Sequence, residues 1–147
     1  MKIIYISISG NTRAFVERLV VYAQERHQQD ATAPLIESQE VNENSPLEKE
    51  TEPFFTFVPT YLDGGNGVDN GDTEILTEVV REYLDYEDNF KKCLGVVGSG
   101  NKNFNHQYCL TAKQYAKQFG FPFLADYELR GTTADVERIY SLLCTIH

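Results

Sequence analysis

The chain is short of basic residues, of cysteine and of long apolar runs, and each shortage excludes something. Its 147 residues carry 13 Lys and Arg against 22 Asp and Glu, a net charge of −9 with His neutral. Phosphate backbones need a basic footprint, so no nucleic acid is expected as the main partner. The three cysteines, Cys93, Cys109 and Cys144, form no CxxC pair. They suit neither a disulfide framework nor a zinc site and are expected as buried free thiols. No run approaches the roughly 18 apolar residues of a membrane span, so no membrane is expected. The opening Met1-Lys2-Ile3-Ile4-Tyr5-Ile6 passes at once into polar Ser7, Ser9 and Asn11, too short for a signal peptide. A cytoplasmic protein is the expectation. Chemistry of the chain's own is missing too, because no Ser-His-Asp order or metal-ligand spacing joins His27, His106 and His147. No metal and no catalytic side chain are expected, and any reaction falls to a cofactor.

What is present is an alternation of β-rich runs with helical periodicity, enough for one domain over residues 1–147. Residues 2–7, 34–36, 54–59, 93–98 and 121–128 read as strands. The third of these is almost wholly apolar, as a strand buried on both faces should be. Helices are predicted over 11–26, 73–86 and 106–119 and from Thr132 onward, where Thr132-Thr133-Ala134-Asp135 reads as an N-cap with an acidic residue at N3. Ile75, Leu76, Val79, Val80, Tyr83 and Leu84 form the inner face of the second helix. Such an order implies an α/β fold with a parallel sheet and helices on both faces. The crossover over 39–52 lacks a helix and is rich in Glu40, Glu43, Glu48, Glu50 and Glu52. It reads as a solvated loop, or otherwise as a docking surface for a basic partner.

Three loops follow strand ends. Ser7-Ile8-Ser9-Gly10-Asn11-Thr12-Arg13 runs directly into a helix, whose exposed N–H groups and dipole suit a phosphate. With neither a Walker-A lysine nor GxGxxG, a monophosphate fits better than a nucleoside triphosphate or a dinucleotide. A plain helix cap by Ser9 or Asn11 is the structural alternative. The others are Pro59-Thr60-Tyr61-Leu62-Asp63-Gly64-Gly65-Asn66-Gly67 and Gly98-Ser99-Gly100-Asn101-Lys102-Asn103-Phe104-Asn105. Ligands of open α/β sheets bind outside the carboxyl ends of the strands. Together the loops suit a flat ring with polar edges, with Tyr61 and Phe104 placed to stack on it. Cys109 stands near a helix start that would favour a thiolate, yet core packing is the better reading.

Ser7-x-Ser9-Gly10-Asn11-Thr12 resembles the FMN-phosphate loop of flavodoxins. Residues 95–104, Gly-Val-Val-Gly-Ser-Gly-Asn-Lys-Asn-Phe, resemble the second flavin loop of the NrdI family, the small flavodoxin-like activators of class Ib ribonucleotide reductase. Tyr127-Glu128-Leu129-Arg130-Gly131-Thr132-Thr133-Ala134-Asp135-Val136-Glu137 is similar to the family's C-terminal F-E-L-x-G-T-x-x-D-[IV]-E signature. The resemblance implies a flavodoxin-like, five-stranded parallel sheet of order 2-1-3-4-5 with non-covalent FMN. Ser7, Ser9, Gly10, Asn11 and Thr12 would hold the phosphate. Thr60, Tyr61, Gly64 and Gly65 would line one side of the isoalloxazine, Ser99, Gly100, Asn101, Asn103 and Phe104 the other, and Leu129 would close an edge. The implied role is an accessory one rather than that of a classical enzyme. Reduced flavin would react with O2 to supply superoxide or peroxide to the small subunit of the reductase, whose dimanganese-tyrosyl radical cofactor it assembles, with electrons from an unidentified donor. The alternatives are a general flavodoxin electron shuttle, an NrdI-like paralogue that activates no reductase, and a flavin-free binding domain. Leu62 and Asp63, ahead of the glycines, and the acidic stretch depart from the compact members of the family.

Overall fold

Strand residues leave opposite faces of a sheet in alternation, so a strand that is apolar throughout needs cover on both sides. A computed structural model of the chain describes residues 1–63, 73–74, 76–103 and 108–147, with backbone only at 62, 63, 73 and 74. The strands are β1 (Lys2–Tyr5), β2 (Glu37–Glu40), β3 (Phe54–Pro59), β4 (Leu62–Asp63), β5 (Thr73–Glu74), β6 (Cys93–Gly100) and β7 (Phe123–Glu128). The helices are α1 (Asn11–Gln29), α2 (Glu78–Asp85), α3 (Leu110–Phe119) and α4 (Thr133–Ile146), with a 3-10 segment over Tyr86–Lys92. Five strands form one parallel sheet in the order β2-β1-β3-β6-β7, which is 2-1-3-4-5 when its members are counted along the chain.

Ile3, Tyr5, Phe55, Phe57 and Val97 meet Phe15, Leu19, Ile139 and Leu143 from α1 and α4 on one face. Ile4, Phe54, Val58 and Val96 meet Val80, Tyr83, Leu84, Ala112 and Tyr115 from α2 and α3 on the other. Each of the Val, Leu, Ile and Phe side chains among them contributes about 1.5–3 kcal/mol on burial. The N-cap read at Thr132 forms a full capping box: Asp135 N donates to Thr132 Oγ1 at 3.1 Å and Thr132 N to Asp135 Oδ2 at 2.8 Å.

Four expectations need correction. The second strand lies at Glu37–Glu40, not 34–36; pairing begins where Glu37 N donates to Met1 O at 2.8 Å. As a largely exposed edge strand it carries no apolar signature. The second helix is shorter than 73–86. Thr73–Glu74 instead pairs antiparallel with Leu62–Asp63, and Leu76 has φ 67° and lies exposed rather than on an inner face. The fifth strand starts at Phe123 rather than 121, since Pro122 has no N–H to give and offers only its carbonyl, to Val96 N at 3.0 Å. Cys93 and Cys109 are buried free thiols, whereas Cys144 is half-buried.

The acidic crossover has no helix, but it is not simply solvated. Val41 is fully buried, and Glu50 is 6% exposed. Glu50 accepts from Lys2 Nζ at 2.5 Å and from the Tyr83 hydroxyl at 2.6 Å, while its own N–H donates to Asn89 Oδ1 at 2.7 Å. Asn89 in turn donates to the carbonyls of Glu48 and Tyr83, both at 2.9 Å. This network pins the loop to α2 and to the start of β1. Removing one partner of a buried pair strands the other, so Glu50→Gln should lower stability by about 2–4 kcal/mol, read as a shift of the urea midpoint with unchanged slope.

Candidate functional site

Parallel pairing puts the carboxyl ends of β1, β3, β6 and β7 along one edge. At the end of β1 the chain turns at Gly10, with φ 91° and open space where a Cβ would stand. Gly10 is the N-cap of α1 and brings no side chain, so neither Ser9 nor Asn11 plays that part, and of the first-turn N–H groups Arg13 N is the one met by a side chain, Ser7. Gly10 O accepts from Ala14 N at 3.0 Å and Ser7 Oγ from Arg13 N at 3.2 Å. The positive end of α1 therefore faces outward from a loop bearing hydroxyls.

Tyr61, just past β3, donates its hydroxyl to Ser9 Oγ at 2.9 Å and so joins the first loop to the second. Thr60 N donates to Ser99 O at 3.1 Å, and Thr60 Oγ1 accepts from Thr111 N at 3.3 Å, which ties the second loop to the third and to α3. Two N–H groups of the third loop are already used. Asn103 N donates to Asn101 Oδ1 at 2.9 Å and Lys102 N to Glu128 Oε2 at 3.0 Å. Gly100 O accepts from Leu129 N at 3.0 Å. Leu129 holds φ 55° and is 48% exposed, an apolar side chain at the rim of the edge.

The turn after β7 is clamped from α1. Arg18 Nη1 donates to the carbonyls of Arg130 and Gly131 at 2.9 and 3.2 Å. Gly131, at φ 70°, presses against Phe15, whose ring stacks on Tyr127 at 3.8 Å. The Tyr127 hydroxyl is buried close to Thr12 and Ser99 and makes no hydrogen bond of good geometry. Burial raises its pKa. Thr12 is itself buried, turned inward rather than to solvent.

Charge near the edge is arranged in pairs. Arg13 gives two hydrogen bonds of 2.7 Å to Glu40, which also accepts from the Tyr5 hydroxyl at 3.2 Å. The Arg13 bonds hold the Glu40 carboxyl below the ordinary range. Burial pushes the Cys109 thiol up to about 12, so packing and not thiolate chemistry is its role. Lys102 Nζ lies 5.7 Å over the ring of Tyr108, whose hydroxyl donates to Asp126 at 3.0 Å. His27 Nδ1 lies 2.9 Å from Ala33 O.

Of the residues expected at the site, Ser7, Ser9, Gly10, Asn11, Thr12, Thr60, Tyr61, Ser99, Gly100, Asn101, Asn103 and Leu129 all belong to these loops. Gly64, Gly65 and Phe104, with His106, lie outside the described residues. Sequence reasoning missed Glu128, Glu40 and Tyr127. Glu128 and Tyr127 stood inside a recognised signature, but nothing local showed that one holds a loop and the other ends beneath Thr12. Among the described residues no group of three or more His, Cys, Asp or Glu is placed to hold a metal ion, and no helix is long and apolar enough to cross a membrane.

A family profile described as "NrdI Flavodoxin like" matches residues 3–141. The chain belongs to that family. A protein described as NrdI-like from Streptococcus pyogenes serotype M18 is 52% identical over 147 residues, covering 97% of this chain and 91% of its own. Protein NrdI of Mycoplasma genitalium is 31% identical over 139 residues, covering 95% and 79%. Protein NrdI of Bartonella tribocorum is 35% identical over 133 residues, covering 90% and 84%. In fold the chain is similar to a short-chain flavodoxin associated with a non-canonical PDU bacterial microcompartment, with a TM-score of 0.60, 16% identity and coverage of 99% and 94%.

A flavodoxin-like NrdI family implies a flavin cofactor, and the residues present fit one. The N-cap of α1 is a glycine with no side chain, Gly10 leaves room for an approaching group, and an unpartnered hydroxyl lies just behind Thr12. Two outcomes test the frame around this site. Gly131→Ala should cost about 2–4 kcal/mol in denaturant unfolding, from left-handed strain plus a Cβ 2.6 Å from the Phe15 ring. The Glu40 carboxyl, held low, stabilises the fold above the ordinary carboxylate range and stops doing so as pH falls through its folded pKa. Glu40→Gln should therefore be less stable than the parent by about 1 kcal/mol near neutral pH, a gap that closes in acid melts below about pH 4.

Proposed function

We propose that the chain binds FMN non-covalently at the carboxyl edge and serves, in the cytoplasm, as an accessory protein to a class Ib ribonucleotide reductase small subunit. Ser7, Ser9, Gly10, Asn11 and Thr12 hold the phosphate at the start of α1. Thr60, Tyr61, Gly64 and Gly65 line one side of the ring system, and Ser99, Gly100, Asn101, Asn103 and Phe104 the other. Leu129 covers an edge from the rim. When bound and reduced by a separate donor, the flavin supplies superoxide or peroxide from O2, which the partner uses to assemble its dimanganese-tyrosyl radical centre.

One observation supports this reading above the rest. The phosphate-type loop and the second loop are joined by Tyr61 and Ser9 at 2.9 Å, directly in front of a helix start whose N-cap is a glycine with no side chain. Glu128 and Arg18 contribute by holding the third loop and the turn after β7 in place. A second reading, an NrdI-like flavoprotein carrying electrons to another acceptor, draws support from the identities. They are 52% and 46% to NrdI-like proteins of Streptococcus pyogenes and Streptococcus pneumoniae, against 31% and 35% to the two proteins named NrdI above.

The first measurement is a visible spectrum after adding FMN and desalting. Retained flavin bands at one FMN per chain are expected, and a colourless protein would remove both flavin readings. The reduced protein is then mixed with a manganese-loaded class Ib small subunit and air. A tyrosyl-radical signal separates the two readings: its appearance supports oxidant supply, and its absence with flavin retained leaves electron transfer.

A further inference from the structure

We propose that the hydroxyl of Tyr61, beyond the ring-lining place given to that residue above, positions a bound phosphate by acting through Ser9. The inference rests on the reading that the carboxyl edge holds a flavin phosphate. The Tyr61 hydroxyl lies 2.9 Å from Ser9 Oγ. A serine hydroxyl has one hydrogen to donate and two lone pairs to accept with. If Tyr61 fills one lone pair, the single Ser9 O–H is left to point outward. An ionised phosphate accepts and does not donate, which sets the direction of the chain: Tyr61 to Ser9, Ser9 to phosphate. Such chains polarise each bond in turn, and bonds to a charged acceptor are the stronger ones.

The surroundings favour this arrangement. Tyr61 is backed by the sheet, because β3 pairs with β6 up to Pro59 and Ser99 and Thr60 N continues the ladder onto Ser99 O. Ser9 directly precedes the Gly10 turn into α1. Arg13, in the first turn of α1, is committed to Glu40 by two hydrogen bonds, so recognition of a phosphate falls on neutral donors. Independently, the hydroxyl of Tyr127, which is 2% exposed, has no partner and lies beside Thr12, marking the same place as one built around more polar groups than the chain itself satisfies.

Tyr61→Phe keeps the ring and removes only the hydroxyl, and comparing FMN with riboflavin isolates the phosphate. Both flavins are titrated against the parent, Tyr61→Phe, Ser9→Ala and the double variant, using quenching of flavin fluorescence. FMN affinity should fall about tenfold in Ser9→Ala, the scale of one hydrogen bond to a charged group, and about threefold in Tyr61→Phe, which removes the neutral bond behind it, while the riboflavin affinity of Tyr61→Phe stays unchanged. In the Ser9→Ala background, Tyr61→Phe should cost nothing further. An unchanged FMN affinity, an equal loss for both flavins, or fully additive losses would each overturn the proposal while leaving the flavin site standing. Failure of the parent to bind either flavin would overturn the flavin reading and this proposal with it.

Discussion

Parallel pairing of β3 with β1 on one side and with β6 on the other is the constraint on which the carboxyl edge depends. Because β3 is buried along its whole length, its register against both neighbours is set by two cores at once. A slip of one residue would send Phe54 and Phe55 to the wrong faces together. With that register set, Ser9 and Tyr61 stand on adjacent strand ends and Thr60 reaches Ser99. The loop contacts follow from the sheet rather than hold it.

Carboxylates perform much of the positioning in this acidic chain. Glu40 takes Arg13 away from the start of α1, Glu50 ties the crossover to β1 and α2, Glu128 accepts an N–H of the third loop, and Asp135 closes the capping box of α4. Each works as an acceptor with a defined donor, where charge-assisted bonds are worth more than solvated charge. The excess of acid is thus in part structural. On the proposed reading, phosphate recognition falls to hydroxyls, backbone N–H groups and a helix dipole, a means suited to a ligand carrying one phosphate.

The turn over 129–131 shows how distant segments share one site. Arg18 in α1 holds its carbonyls, Phe15 fills the space that only glycine leaves at 131, and Tyr127 stacks on Phe15 with its hydroxyl behind Thr12. The helix that begins at the phosphate-type loop therefore also braces the last loop of the edge.

Local chemistry was enough to read much of this molecule. Apolar β3 and β6, the stripes of α1 and α4, the Thr132–Asp135 cap and the three polar loops after strands are patterns of period and of turn chemistry, which neighbouring residues determine on their own. The family signatures lie in the same local segments. Other features carried no local mark. The polar edge strand Glu37–Glu40 is a strand because β1 offers it hydrogen bonds, and Thr73–Glu74 left its helical pattern for a pairing with Leu62–Asp63. Glu50 looks like any loop glutamate until Lys2, Tyr83 and Asn89 surround it. Tyr61 reads as a ring placed to stack, and nothing local shows that its hydroxyl meets Ser9, 52 residues away in sequence. Periodicity and capping are properties of adjacent residues and are legible in order along the chain. Hydrogen-bond partners of a side chain are chosen by whatever the fold brings within 3 Å, and only the tertiary structure decides that.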